Sequence, residues 1–414
     1  SSFTPTALGG ADVSIGVNAV FTSGKYTYLG LASAAGNDFR IYDVHNPSSP
    51  TSVGGVDVST DVRAVYVSGK YAYLGLSSDG GSGNEFRIYD ISNPSSPSSV
   101  GGFSYNQNLQ SIFVQGKFAY LGFAGDNSTG TEFKVYDISN PASPVSVGGV
   151  DTAGASGGAG GVKSLYVQGK YAYLGLSAIT GTCSGATATG CEFRIYNVSD
   201  PFAPAYVSGG GVDTTLDVNS VAVSAKYAYL GLATDGSTGN DFRIYSVVDP
   251  TAPTVVGGLD VSTGVNSLQV QGKYVFAGLV SASGNDFRVI DASDPTAPTN
   301  AGGVDTTVDV NSVFVSGKYA YAALATVSGN DWRIYDLAGT DTQTFMAGAA
   351  GVGQLSVTDN ARIDNDLYVG TGINVGLGGI NSAGPVSIEN TLQGSGASAV
   401  AGVFGNYTLT NSTA

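Results

Sequence analysis

Val17-Asn-Ala-Val-Phe-Thr-Ser-Gly-Lys25-Tyr-Thr-Tyr-Leu-Gly-Leu31, resumed after a short loop by Gly36-Asn-Asp-Phe-Arg-Ile-Tyr-Asp43, is the first of seven copies of one phrase. The anchoring lysines are Lys25, Lys70, Lys117, Lys170, Lys226, Lys273 and Lys318, spaced 45, 47, 53, 56, 47 and 45 residues apart. Such a period, in segments without a 3.6-residue apolar pattern, fits a four-stranded propeller blade. Each copy divides into four short strands. The first is of the Val-Asn-Ser-Val-Phe-Val type, and a Ser-Gly-Lys turn leads to Tyr-Ala-Tyr-Leu-Gly-Leu. A Gly/Ser/Asn loop leads to Asp-Phe-Arg-Ile-Tyr-Asp, and Asn-Pro-Ser-Ser-Pro precedes Val-Gly-Gly-Val-Asp. β-Branched and aromatic residues fill the strands, while Gly, Pro, Asn and Ser bound them.

The prolines test this topology. Asn/Asp-Pro-x-x-Pro occurs six times, at 47/50, 94/97, 141/144, 201/204, 250/253 and 295/298, which uses 12 of the 14 prolines. A seventh should follow Tyr335-Asp336, where Leu337-Ala-Gly-Thr stands instead. The missing piece lies at the other end of the chain, where Phe3-Thr-Pro5-Thr-Ala-Leu-Gly9-Gly10 matches Ser49-Pro50-Thr-Ser-Val-Gly54-Gly55. The expected fold is therefore an all-β, seven-bladed propeller over residues 1–345, closed by the N-terminal strand so that only short protected edges remain.

The run Phe86-Arg-Ile-Tyr-Asp-Ile-Ser-Asn-Pro-Ser-Ser-Pro97 resembles the LVIVD-repeat family of β-propellers, and the likeness recurs from about residue 3 to 336. The resemblance implies a secreted or surface-exposed bacterial or archaeal propeller. It brings no defined catalytic residues, and a fold does not supply a function.

Composition narrows the classes. Charged residues are 12% of the 414, with 17 basic against 32 acidic and a formal charge of −15. That balance lacks the basic footprint of a nucleic-acid binder. A content of 42% hydrophobic and 10% aromatic residues is ample for a core. No apolar run approaches ~18 residues, so no membrane-spanning helix is expected.

The repeat orders the charge. Seven bases lie mid-strand, each two residues after an acid: Asp38/Arg40, Glu85/Arg87, Glu132/Lys134, Glu192/Arg194, Asp241/Arg243, Asp286/Arg288 and Asp331/Arg333. Strand alternation places both on one face, against the next blade, so an interblade ring of ion pairs is expected. The lysine turns and the proline loops share one end of the ring, where Asp43, Asp90, Asp137, Asp291 and Asp336 partly offset the lysines. The opposite end receives Asp12, Asp57, Asp61, Asp151, Asp213, Asp217, Asp260, Asp305 and Asp309, joined by Asp79, Asp126 and Asp235. Complementary ends could steer head-to-tail association, or the lysines could simply solubilise tight turns. The Asp-x-x-x-Asp loops 57/61, 213/217 and 305/309 are weak candidates for Ca²⁺, since they lack a dense Asp-x-Asp-x-Asp-Gly order. No other cofactor is indicated.

Cys183 and Cys191 lie eight residues apart in one inserted loop and read as a disulfide, hence an oxidising compartment. The single histidine, His45, takes a position that elsewhere holds Ser, so a Ser-His-Asp triad or a His-ligated metal is not indicated. Acid pairs recur around the ring, whereas an active site breaks symmetry. Asn127, Asn197, Asn406 and Asn411 match the short N-glycan acceptor pattern.

After Phe345 the composition changes. Residues 346–354 read as a Gly/Ala linker. From Leu355 to 414 a six-residue unit with apolar positions one and three (Leu355-Ser-Val, Ala361-Arg-Ile, Leu367-Tyr-Val, Ile373-Asn-Val) resembles shaft segments of fibre and adhesin proteins. This β-rich extension could pair with a neighbouring subunit, fold alone, or remain an unpaired tail. The expectation is a secreted, non-enzymatic protein, extracellular or at the cell surface, whose leader has been removed. It would be a subunit of a filament or adhesive appendage, with other copies of itself as partner. The alternative is a ligand-binding propeller that takes glycan or protein on its acidic end.

Overall fold

The computed structural model describes residues 3–33, 36–78, 83–125, 130–152, 160–178, 183, 190–234, 239–281, 283–326 and 328–337. The expected linker and C-terminal extension, like Asp79, Asp126, Asp235, Asn127, Asn406 and Asn411, lie outside these residues. The described residues form seven four-stranded antiparallel sheets and no helix. Blade 1 runs Val17–Ser23, Tyr26–Leu31, Phe39–Asp43, Thr51–Val56 from inside to outside. Blades 2 to 6 repeat that order over 62–103, 109–150, 162–212, 218–259 and 265–304. Blade 7 has Val310–Ser316, Tyr319–Leu324 and Trp332–Asp336, and takes its outer strand from Thr6–Ala11. Thr6 pairs with Asp336 and Ala11 with Trp332, antiparallel, so the N-terminal strand closes the ring.

Between each pair of neighbouring blades lies one apolar cluster. That between blades 1 and 2 packs Tyr28, Phe39 and Ile41 against Val58, Val62, Leu74, Leu76 and Tyr89. Alternating side chains leave both faces of a blade apolar, so each sheet is buried only by its neighbours, and an open ring would expose two such faces.

Two devices set the contact between blades. The inner strands each present one unpaired backbone edge, and the Asn-Ser of the repeat reaches across to it. Asn18, Asn219, Asn266 and Asn311 donate to the carbonyls of Val62, Val265, Val310 and Val17 of the next blade, at 3.3, 3.2, 3.2 and 2.9 Å. Ser164, Ser220 and Ser267 accept from the Val221, Leu268 and Val313 amides at 3.0, 2.9 and 3.1 Å. At the outer strands the Gly-Gly pair lets the next blade's proline loop land on bare backbone. A Cβ at Gly54 would fall well inside contact distance of the Pro94 carbonyl oxygen, as one at Gly9 would with that of Pro47.

Blade 7 lacks a proline loop, and the N-terminus replaces it. Phe3 donates its amide to Ala301 at 2.6 Å and sets its carbonyl against Gly302, where the other blades place a proline carbonyl. The matching of residues 3–10 to 49–55 thus extends to the loop that covers the neighbouring blade.

Gly54→Ala is expected to cost about 1–3 kcal/mol or more through overpacking on a backbone that cannot retreat. Ala225 stands at φ 53° in the turn position that Gly24 takes at φ 57°, so Ala225→Gly should relieve about 1 kcal/mol of left-handed strain. Urea denaturation measures both. A Gly54→Ala protein as stable as the parent would show that the loops are not seated on the outer strands.

Candidate functional site

The acids and bases of the third strands are the most deeply placed charges. All seven acids are buried, at 0–2% exposure. Six of them accept backbone N–H groups from the loop that leaves their own blade for the next. Asp38 takes Val58 and Ser59 at 3.1 and 3.0 Å, and Glu85 takes Tyr105 and Asn106 at 2.6 and 3.2 Å. Glu132 takes Thr152 (2.8 Å), Glu192 takes Thr214 (2.8 Å), Asp286 takes Thr306 and Thr307 (both 3.0 Å), and Asp331 takes Val13 (2.9 Å). Asp241 is buried in the equivalent position.

The bases approach the same loops from the following blade. Arg40, Arg194, Arg243 and Arg288 donate to the carbonyls of Val13, Thr152, Thr214 and Val261 at 3.4, 2.8, 3.5 and 3.1 Å. Arg87 and Arg333 donate through Nε to the carbonyls three residues earlier, Asn84 and Asn330. A single peptide therefore lies between two blades' charges. Val13 gives its N–H to Asp331 of blade 7 and its carbonyl to Arg40 of blade 1. Direct attraction adds to this, since Glu132 opposes the loss of basicity that burial imposes on Lys134, and Asp286 does the same for Arg288. The hydrogen bonds of the expected acid and base residues thus run largely to loop backbone, which offers both a donor and an acceptor at the blade boundary. In blade 3 the base is Lys134, which stands 4.0 Å over the Tyr105 ring instead of reaching a carbonyl.

At the loop end, the aspartates serve the turns that carry them. Asp12, Asp57, Asp213, Asp260 and Asp305 accept through Oδ1 from the amide two residues on, at 2.7–2.9 Å. The residues so held, Ser14, Ser59, Thr215, Ser262 and Thr307, are non-glycine with φ of 61–65°, and at Ser59, Thr215 and Thr307 the buried third-strand acid accepts from the same amide. Asn106, at φ 59°, follows Ser104 instead and gives its amide to Glu85 alone. Asp61, Asp217 and Asp309 accept from Ser33, Ala178 and Ser281 of the preceding blade at 2.8, 2.6 and 2.8 Å. Each of the six calcium candidates therefore has a backbone partner. Among the described residues no three His, Cys, Asp or Glu side chains converge as a metal shell would require. Two bases break the repeat here: Arg63 stands 3.7 Å from Asp61, and Lys163 stands 2.6 Å from Asp217.

At the turn end, Lys25, Lys70, Lys117, Lys273 and Lys318 pair with Asp43, Asp90, Asp137, Asp291 and Asp336 at 2.9–3.3 Å. All seven turn lysines lie 4.8–5.3 Å from the centre of the ring that follows them in sequence. Asp200, Asp249 and Asp294 of the proline loops share this end, so seven lysines meet eight aspartates. With Asp200, Asp249 and Asp294 added to the five expected aspartates, this end is close to neutral, and the contrast between the ends is acidic against balanced.

The Cys183–Cys191 disulfide is formed, with Cα atoms 4.7 Å apart. Cys191 is fully buried and its carbonyl accepts from Arg194 Nε at 2.8 Å, which ties the bridge to blade 4. Asn197 ends a strand and accepts from the Ser199 amide at 2.9 Å. His45 lies in the blade 1 proline loop, its amide on Asp43 at 2.8 Å. The sequence reading missed a chain of rings on the inner strands, Phe314–Phe21–Tyr66–Phe113–Tyr166, with centroids 4.6–5.4 Å apart. Burial pushes the Tyr66 hydroxyl up to about 12. Ala222 and Gln269 interrupt the chain in blades 5 and 6. Comparing the fifth residue of each inner strand would have found it.

The turn-end carboxylates titrate low. Hydroxyl and amide hydrogen bonds from Ser92 and Ser139, then Lys70 and Lys117, hold Asp90 and Asp137 at about 2; the Ser293 hydroxyl, then Lys273, does so for Asp291. Burial moves Glu132 the other way, above the ordinary glutamate range. Carbon-detected carboxyl titration should find the three aspartates near 2. Their contribution to stability is then full above the ordinary 3.8 and is lost as pH falls through about 2. Midpoints at the ordinary value would show that these turns are not held in solution.

Comparisons agree with this geometry. The LVIVD repeat matches residues 17–58, 59–106, 108–152, 264–306 and 309–330. Comparison with curated proteins finds no match. Among solved structures, the computationally designed Ika8 protein is 13% identical, with TM-score 0.51 over 81% of this chain and 99% of that one. Chaetomium thermophilum Raptor is 12% identical, with TM-score 0.58 over 82% of this chain but 29% of that one. The WD40 β-propeller domain of Doa1 is 12% identical, with TM-score 0.53 over 80% of this chain and 96% of that one. At such identities the likeness is one of fold alone. The chain is a seven-bladed β-propeller that carries LVIVD repeats in blades 1, 2, 3, 6 and 7.

Proposed function

We propose that this protein is a non-enzymatic structural component of the cell exterior, a repeating subunit of a filament or adhesive appendage. One observation carries the reading. The repeat's acids, bases, asparagines and serines are spent on backbone groups at blade boundaries, which yields a stiff disc with two chemically unlike ends. A rigid unit of that kind suits repetition in a polymer. The disulfide fits an oxidising, extracellular compartment. No helix among the described residues is long and apolar enough to cross a membrane. The extension over 355–414, with its short apolar units, supplies strands for pairing between subunits.

A second reading has one observation in its favour. Arg63 and Lys163 replace the inner-strand asparagine at the loop end and so break the symmetry beside Asp61 and Asp217. A ligand-binding propeller would use that place for an anionic glycan or a protein loop.

Negative-stain microscopy across a concentration series separates the two. Long regular polymers, lost on deletion of residues 346–414, are the outcome expected of a filament subunit. Discrete monomers that bind a glycan array through a surface sensitive to Arg63→Ala and Lys163→Ala would favour the binding reading. Polymers from the truncated chain equal to those of the full chain would refute strand pairing by the extension.

A further inference from the structure

The turn end departs from the repeat in one sector. Blades 4 and 5 carry Asn197 and Ser246 where the other five carry aspartate. Lys170 and Lys226 consequently keep the ring beneath them, at 5.3 Å, without the third-strand carboxylate that fixes their counterparts. The same sector turns apolar. Phe202 in the blade 4 proline loop is 59% exposed and touches Phe118 of blade 3 edge-on, with centroids 6.3 Å apart. Val248, 68% exposed, stands where blades 2, 3, 4 and 6 place Ser92, Ser139, Ser199 and Ser293. Val255 (65%) and Val145 (57%) lie on the outer strands of blades 5 and 3, paired in register with Tyr245 and Asp137 at this end. Four of the five exposed large hydrophobic residues among the described residues thus fall on three neighbouring blades.

In an otherwise polar repeat, serine and aspartate have been exchanged here for valine, phenylalanine, asparagine and serine. Such a cluster of apolar side chains beside cations released from their own partners is the composition of a contact surface. Asp200 and Asp249 also lie in this sector, but they accept from the Phe202 and Thr251 amides of their own loops at 3.0 and 2.9 Å. The sector therefore offers ammonium groups and apolar area, with no large net charge.

We propose that this sector, with Lys170, Phe202, Lys226 and Val248 at its centre, docks the acidic loop end of a second copy of this chain. Local charge complementarity, at the ammonium groups of Lys170 and Lys226, selects that occupant. The loop end holds Asp12, Asp57, Asp61, Asp151, Asp213, Asp217, Asp260, Asp305 and Asp309 against Arg63 and Lys163. A released lysine there gains a carboxylate that its own blade does not provide, and the valine and phenylalanine lose their exposure to water. The contact joins unlike ends, so it does not close on itself and propagates. The inference rests on the filament reading and says where its propeller-to-propeller contact lies.

The test uses the full chain. Equal amounts of ¹⁴N- and ¹⁵N-labelled protein are coupled with a zero-length carbodiimide, and mixed-isotope peptides are mapped. Amides joining Lys170 or Lys226 of one copy to loop-end aspartates of another are expected. Lys170→Glu with Lys226→Glu, and separately Phe202→Ser with Val248→Ser, should each weaken self-association at least tenfold by sedimentation velocity. Circular dichroism should report an unchanged fold, because these side chains are exposed. If the parent chain assembles and both double variants assemble equally well, the docking surface is refuted and the filament reading stands. Cross-links from these lysines to residues 338–414 of the same copy would also refute it. A parent chain that remains monomeric at every concentration would overturn both.

Discussion

A buried carboxylate that holds the backbone of the loop between two blades is the interaction on which this ring depends. A carboxylate taken out of water is costly unless hydrogen bonds replace its hydration. Here the replacements are amides of the interblade loop, as Asp38 takes them from Val58 and Ser59. At Val13 the arginine of the next blade, Arg40, takes the carbonyl of the residue whose amide Asp331 holds. Where one loop residue serves charges of two blades, as Val13, Thr152 and Thr214 do, neither blade can shift without breaking the hydrogen bonds of a buried charge. The apolar clusters supply most of the favourable burial, and the clamps fix how the blades are set against each other.

The same constraint explains the surface. Six of these loops hold a non-glycine residue in a left-handed conformation, each with its amide on a carboxylate, and at Ser59, Thr215 and Thr307 on two. The loop-end aspartates that looked like candidate calcium ligands are the second carboxylate of that arrangement, or hold the preceding blade's loop. At the other end, Asp43 and its counterparts both cap their own turns and pair with lysine. Charges that a composition summary counts as surface are thus structural, and departures from the pattern are informative. Blades 4 and 5 lose the aspartate and gain exposed apolar residues at the same time, which a merely structural role does not require.

Much was legible before any coordinates. The lysine spacing, the six proline loops and the missing seventh specified the blade count and the strand that closes the ring. Two cysteines in one inserted loop specified the disulfide. Less was legible about how polar groups are shared. Alternation placed Asp38 and Arg40 on one face, but a linear pattern does not show that they reach different interblade loops, Val58–Ser59 for the acid and Val13 for the base. The roles of Asn18 and Ser220 were hidden for the same reason, since their partners are 44 and 48 residues away.

The sequence by itself determined the seven blades, their order and the closure by residues 3–11, because strand periodicity and turn chemistry are local and the repeat states them seven times. Only the tertiary structure decided which backbone groups the charges hold, which turn lysines pair with an aspartate, and that the exposed apolar residues gather in one sector. The physical reason is that these depend on contact between blades, where groups remote along the chain compete for the same donors and acceptors.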